Sequence, residues 1–189
     1  MKINRHGQSA PVDREVYSKV LGNLAKPSHK LIWQILFFTG ERISAVVSLR
    51  IEDVFERGSN LRSQITFRGQ TRKDKATRQC PIHKELRVAL LSYPCCPSPP
   101  GYLFPSKSPT GHITRRVFDR VFRIALVSAG LDNEGFSLHG TRHGFITALH
   151  QGGTSLAAIQ DITGHQDINS LRRYIKSSPD QIEKAIALR

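Results

Sequence analysis

HGTRHGFITALHQGGTSLAAIQDITGHQDINSLRRY, residues 139–174, is the stretch whose reading decides the fold and the chemistry of this chain. It opens on a His-x-x-Arg, His139 to Arg142, passes Gly152-Gly153, and reaches Gly164-His165 with Tyr174 nine residues further on. Apolar spacing and glycine punctuation predict three helices: His139 to Gln151, Ser155 to Thr163 closed by Gly164, and a short one capped by Asp167 that carries Leu171 and Tyr174. On the first helix His139, Arg142 and His143 lie three and four residues apart and share a face. No acid occurs from Gly135 to Gln160, so guanidinium and imidazole on that face suit a phosphate clamp and a proton-transfer pair. Taken alone, the same pattern is common on solvated surface helices, and a lone helical tyrosine is more often a half-buried aromatic than a nucleophile.

Charge narrows the partner class. Across 189 residues, 28 Lys and Arg oppose 15 Asp and Glu, a net charge of +13. Such an excess favours polyanions through phosphate neutralisation and counterion release. Between Arg57 and Lys84 the basic residues Arg57, Arg62, Arg68, Arg72, Lys73, Lys75, Arg78 and Lys84 meet one acid, Asp74. No apolar run approaches the ~20 residues that span a bilayer, and Met1 to Ala10 lacks an apolar signal core; the expectation is an intracellular protein that leaves membranes alone. The cysteines Cys80, Cys95 and Cys96 form no disulfide framework, and Cys80-x-x-His83 with Cys95-Cys96 matches no familiar zinc spacing. Glu52-Asp53 reads as a helix-end feature rather than a magnesium site, so neither metal nor cofactor is expected.

Working outward, residues 1–11 read as a flexible arm and residues 12–189 as one mainly helical α+β domain that includes a C-terminal helix. The periodicity predicts a helix from Val12 to Leu24, ended by Lys26-Pro27. A core helix follows, capped by Ser28 and apolar nearly all round, with a helical resumption from Glu41 to Leu49 after Thr39-Gly40. Three short antiparallel strands are expected next: a weak one near Val54 to Arg57, then Gln64 to Arg68 and Arg78 to Ile82, the last two joined by a basic turn. His83 to Ser92 returns to helix, and Tyr93 to Gly111, with six prolines, reads as a surface loop. Thr114 opens a helix whose apolar residues from Phe118 to Ala129 leave Arg115, Arg116, Arg120 and Arg123 on other faces, a basic surface able to track phosphates. Ser178-Pro179-Asp180-Gln181 starts the C-terminal helix.

Three segments in order, Thr39-Gly-Glu-Arg42-Ile-Ser44, His139-Gly-Thr-Arg-His143 and Gly164-His165 with Tyr174, make the chain resemble the tyrosine recombinase (phage integrase) family over its catalytic domain, from about Val12 to Leu188. The resemblance implies that family's catalytic-domain fold, with a small three-stranded sheet, and site-specific recombination of double-stranded DNA by four assembled protomers. It implies that Tyr174 attacks the scissile phosphate to form a 3′-phosphotyrosyl bond, without metal or ATP. Arg42 and Arg142 would hold the non-bridging oxygens, His165 would donate a further hydrogen bond, and His139 would assist proton transfer. Lys73, eight residues before Pro81, would protonate the leaving oxygen, in preference to Lys75. Arg72, Lys75, Arg115, Arg116 and His143 complete the expected DNA-binding set.

The chain departs from the family pattern in two places. Ala45 stands where the family has an acid three residues after the first arginine, so support for Arg42 must come from elsewhere or be weaker. Nothing before Val12 is long enough for the family's N-terminal clamp domain, which points to the small stand-alone members, such as the fimbrial phase-variation recombinases, or to an isolated catalytic fragment. Two other readings of the same residues stay open: a DNA-binding module or regulator with weak or no cleavage, and a topoisomerase IB-like enzyme that relaxes DNA.

Overall fold

Helix α2, Pro27–Thr39, is the axis on which the rest is packed. The computed structural model describes residues 9–56, 60–71, 75–94, 101–165, 167 and 169–172. Pro27 begins α2 rather than merely ending the helix before it: a proline at the first helical position loses no hydrogen bond, and its φ is already helical. The N-cap is accordingly Lys26, and Ser28, the expected cap, lies inside the first turn. Leu31, Ile32, Trp33, Ile35, Leu36 and Thr39 are buried along its length, which is why the sequence is apolar on almost every side. Helix α1, Arg14–Gly22, is capped by Asp13, whose carboxylate accepts from the Val16 amide at 2.9 Å. Tyr17 from α1 stacks on Phe37, with ring centroids 4.1 Å apart, and its carbonyl accepts from the Trp33 indole.

Gly40 ends α2 in the left-handed region at φ 59°, and a side chain there would run into the Phe145 ring. The helix expected from Glu41 to Leu49 shortens to α3, Ile43–Val47, because Arg42 is extended and serves as its N-cap. A 3-10 turn, Ile51–Asp53, follows. Asp53 accepts there from the Arg50 amide at 2.9 Å and from Arg68 Nε at 2.7 Å, while Glu52 receives Arg68 Nη2 at 3.0 Å, so this acidic pair is structural.

Strands β1, Gln64–Phe67, and β2, Arg78–Pro81, pair antiparallel with Phe67 opposite Arg78 and Ile65 opposite Cys80. The sheet therefore has two strands among the described residues, not three. The segment expected as a first strand contributes a single bridge, Phe55 with Leu61, because the chain has just left the 3-10 turn and has only that residue in register. Helix α4 is Lys84–Leu91. The proline-rich segment does not stay on the surface: Leu103 and Phe104 are buried, and the Leu103 amide donates to the Leu49 carbonyl at 2.8 Å.

Helix α5, Arg115–Ser128, is capped by Thr114 and buries Phe118, Phe122, Ala125 and Leu126, with Phe122 against Trp33. Helices α6, Leu138–Gln151, α7, Leu156–Thr163, and α8, Asn169–Arg172, follow the order predicted from the 139–174 stretch, with Asp167 accepting from the Asn169 amide at the start of α8. Ile146, Ile159 and Leu171 unite them in a small core of their own. Residues 9–12 lie across α6, where Gly140 and Gly144 leave no room for side chains against the Ala10 and Val12 backbone. No helix among the described residues is long and apolar enough to cross a membrane.

Candidate active site

The turn that ends α2 and the last turn of α7 meet at one guanidinium. Arg142, on α6 and 5% exposed, donates from Nη1 to the Gly40 carbonyl at 3.1 Å and from Nη2 to the Thr163 carbonyl at 2.8 Å. The same Nη2 lies 3.3 Å from Nδ1 and 3.4 Å from Nε2 of His165. Three segments far apart in sequence, carrying Arg42, Arg142 and His165, are thus held together by carbonyl oxygens, the acceptors that helix ends leave over.

Arg42 stands two residues beyond Gly40 and is half-buried. Its backbone amide is held by its predecessor. Glu41 is 1% exposed; one carboxylate oxygen accepts from the Arg42 amide at 2.8 Å and the other from Arg78 Nη1 at 3.0 Å. Arg78 Nη2 also donates to the Thr39 carbonyl at 2.9 Å, and the Thr39 hydroxyl accepts from the Glu41 amide. Thr39, Glu41 and Arg42 are therefore tied to one another, and the tie reaches β2. Ala45 is buried on α3, and Glu41, directly before Arg42, holds the Arg42 backbone amide.

His139 is exposed on the first turn of α6. It shares a recess of about 450 Å³ with Arg115, Arg116, Asp119 and Arg123 of α5 and with Ser137 and Leu138. Arg115 and Arg116 are exposed in the first turn of α5; Arg123 pairs with Asp119 at 2.9 Å. His143 is half-buried with Nδ1 2.9 Å from the Ser9 carbonyl oxygen, which ties it to the segment before α1. Lys75 is exposed and sits at φ 54° on the β1–β2 connection, against Gly69, where a side chain would strike the Lys75 carbonyl. Arg72, Lys73 and Tyr174 lie outside the described residues, as do Cys95, Cys96 and the helix expected from Pro179.

Burial pushes the Cys80 thiol up from its usual range, with Arg78 opposing more weakly, so this cysteine is held as a neutral packing group. Among the described residues no three His, Cys, Asp or Glu side chains converge in a way that could hold a metal ion. The arrangement offers a phosphate fixed guanidinium and imidazole groups in a partly dry setting. Sequence reasoning missed Glu41, Arg78 and Thr163. An acid directly before Arg42 and an arginine at an inward strand position were the available signals, each meaningless until paired.

Comparison with known proteins gives the family and the fold. The model of the phage integrase family matches residues 12–181. The tyrosine recombinase XerD of Agrobacterium fabrum is 28% identical over 181 residues, covering 87% of this chain and 54% of that protein. XerD of Brucella suis biovar 1 is 31% identical over 168 residues, covering 84% and 51%. The chain spans about half the length of the curated relatives it matches. Among solved structures, the catalytic domain of bacteriophage HP1 integrase superposes with a TM-score of 0.69 at 24% identity, over 95% of both chains. The XerA recombinase does so at 0.74 and 20%, over 96% of this chain and 66% of that one. XerH bound to its difH substrate before cleavage gives 0.71 and 21%, over 98% and 55%. At these identities the structures establish the shared fold.

Proposed function

The chain belongs to the phage integrase family, and on that premise we propose that it is the catalytic unit of a site-specific DNA recombinase. The observation that carries the reading is the convergence on Arg142: its hydrogen bonds to Gly40 and Thr163 gather the three family motifs at one point. A phosphodiester in the transition state gains charge on its non-bridging oxygens, and donors fixed in advance stabilise that charge more than they stabilise the ground state. Arg42 and Arg142 are such donors. His165, beside Arg142, adds a third hydrogen bond, and His139, exposed three residues before Arg142 on α6, moves a proton to or from the nucleophile.

Tyr174 attacks phosphorus, the new bond being a 3′-phosphotyrosine and the broken one releasing a 5′ oxygen that takes its proton from Lys73. The phosphoester is conserved in energy, so a 5′-hydroxyl from a second duplex reverses the step and completes strand exchange with neither metal nor ATP. The exposed arginines of α5, with Arg72, Lys75 and His143, hold the duplex. Four protomers act on two paired sites. DNA-bound neighbours such as XerH on difH support the DNA partner.

The test is strand exchange between two plasmid-borne copies of the repeats that flank the gene, comparing wild type with Tyr174→Phe. Recombinant product from wild type alone is expected. Binding without any covalent product would replace this reading with a DNA-binding module, and relaxation without exchange would replace it with a topoisomerase.

A further inference from the structure

We infer that Thr163 is a positioning residue that fixes the tautomer of His165, so that the ring meets a phosphate oxygen only as an imidazolium; this rests on the phosphate-binding role proposed for His165. Thr163 is fully buried on the last turn of α7, and Gly164, at φ 68°, folds the chain back so that the His165 ring returns over the Thr163 hydroxyl. Oγ1 of Thr163 lies 2.6 Å from the Ile159 carbonyl oxygen and 2.6 Å from His165 Nδ1. Approaches that short need a proton in each gap. A carbonyl has none to give, so the single hydroxyl proton of Thr163 goes to Ile159. The proton in the other gap therefore belongs to Nδ1 of His165.

The consequence follows from the chemistry of imidazole. With Nδ1 protonated, the neutral ring carries a bare Nε2, which accepts and cannot donate. Phosphodiester oxygens are acceptors as well, so Nε2 serves them only after the ring takes a second proton. Arg142, reaching across from α6, places Nη2 3.3 Å from Nδ1 and 3.4 Å from Nε2, an approach that does not itself choose between the two ring nitrogens. A phosphate oxygen that is to accept from Nε2 requires that second proton. Engagement of the DNA backbone and protonation of His165 are thereby coupled, and Thr163 sets the coupling from both ends: its hydroxyl orients His165 and its carbonyl holds Arg142. Thr163 itself need not touch DNA.

Nitrogen-15 spectra of histidine-labelled protein, free of DNA and alkaline enough to keep the ring neutral, read the tautomer directly, with His165→Gln supplying the assignment. Wild type and Thr163→Ser, which keeps the hydroxyl, are expected to carry the proton on Nδ1. Thr163→Val, which keeps the shape, is expected to move it to Nε2. A wild-type ring protonated on Nε2, or a tautomer unchanged in the valine variant, overturns the inference. A second measurement follows the initial rate of covalent adduct formation on a nicked duplex bearing the flanking repeats, from about pH 6 to about pH 9. The Val/Ser rate ratio is expected to rise about tenfold per pH unit above the titration of the ring, because only the valine variant presents Nε2–H without a second proton. A ratio constant with pH marks a merely structural threonine and overturns the inference. Absence of any wild-type adduct overturns the recombinase reading instead, while the spectra still decide the tautomer.

Discussion

Arg142 on α6 and the arginines that open α5 carry the same charge in opposite settings. Arg142 is 5% exposed and held by carbonyls from two other segments; Arg115 and Arg116 are exposed on the first turn of their helix. A desolvated, immobilised guanidinium acts at short range with little screening, which suits it to charge that develops during a reaction. An exposed one is screened within about a Debye length and keeps its side-chain freedom, which suits it to following a phosphate backbone of any sequence. On the proposed reading, burial rather than charge divides the chemistry from the grip.

The division can be attacked first from the interior. Glu41→Gln leaves Arg78 buried against a neutral amide and loosens the turn that presents Arg42, so chemical denaturation should show a loss of about 3–5 kcal/mol. A loss below about 1 kcal/mol would mean that the buried pair supports nothing. Next, Arg142→Lys keeps the charge but cannot reach both carbonyls with a rigid fork, and adduct formation should fall by about 10²–10³-fold. A drop confined to DNA affinity would place Arg142 with the α5 arginines after all.

The exposed side should answer differently. Arg115→Ala with Arg116→Ala is expected to leave stability within about 0.5 kcal/mol while lowering the slope of log affinity against log salt by about 0.9 for each phosphate that is no longer neutralised. An unchanged slope would remove that helix face from the DNA interface. The smallest effect concerns a half-buried group between the two extremes. Burial, aided by nearby Lys26, lowers the affinity of the His29 ring for a proton relative to the unfolded chain. Its contribution is complete above the unfolded value near 6.5 and declines as pH falls through it, because the unfolded state then binds the proton more readily. Mild acidification should therefore cost wild type slightly more melting temperature than it costs His29→Gln.

Much of the fold was legible because its signals are local. Thr114 as a cap, Gly130 beyond α5 and Gly164 beyond α7 punctuate helices within a few residues, and the structure places those helices where the punctuation predicts. The site's supports were not legible because they are pairings across the chain. Arg78 occupies an inward strand position that sequence pattern reserves for apolar groups, and Glu41 and the Thr39 carbonyl, far upstream, make it tolerable. Arg42 looked like part of a helix because its neighbours are helix formers, but the Glu41 carboxylate takes its amide and leaves it extended. Leu103 and Phe104 were hidden among prolines, whose turn signal masked a short apolar insertion into the core. The expected roles of Lys73 and Tyr174 rest on family resemblance, since both lie outside the described residues.

The most direct measurement is the identity of the residue joined to DNA. Protein incubated with a nicked duplex carrying the flanking repeats is denatured, digested with trypsin and nuclease, and analysed by mass spectrometry. The account expects one nucleotide-bearing peptide, linked through Tyr174 to a 3′ phosphate and missing from Tyr174→Phe. A 5′ linkage, attachment at another residue, or an adduct that survives Tyr174→Phe would contradict it.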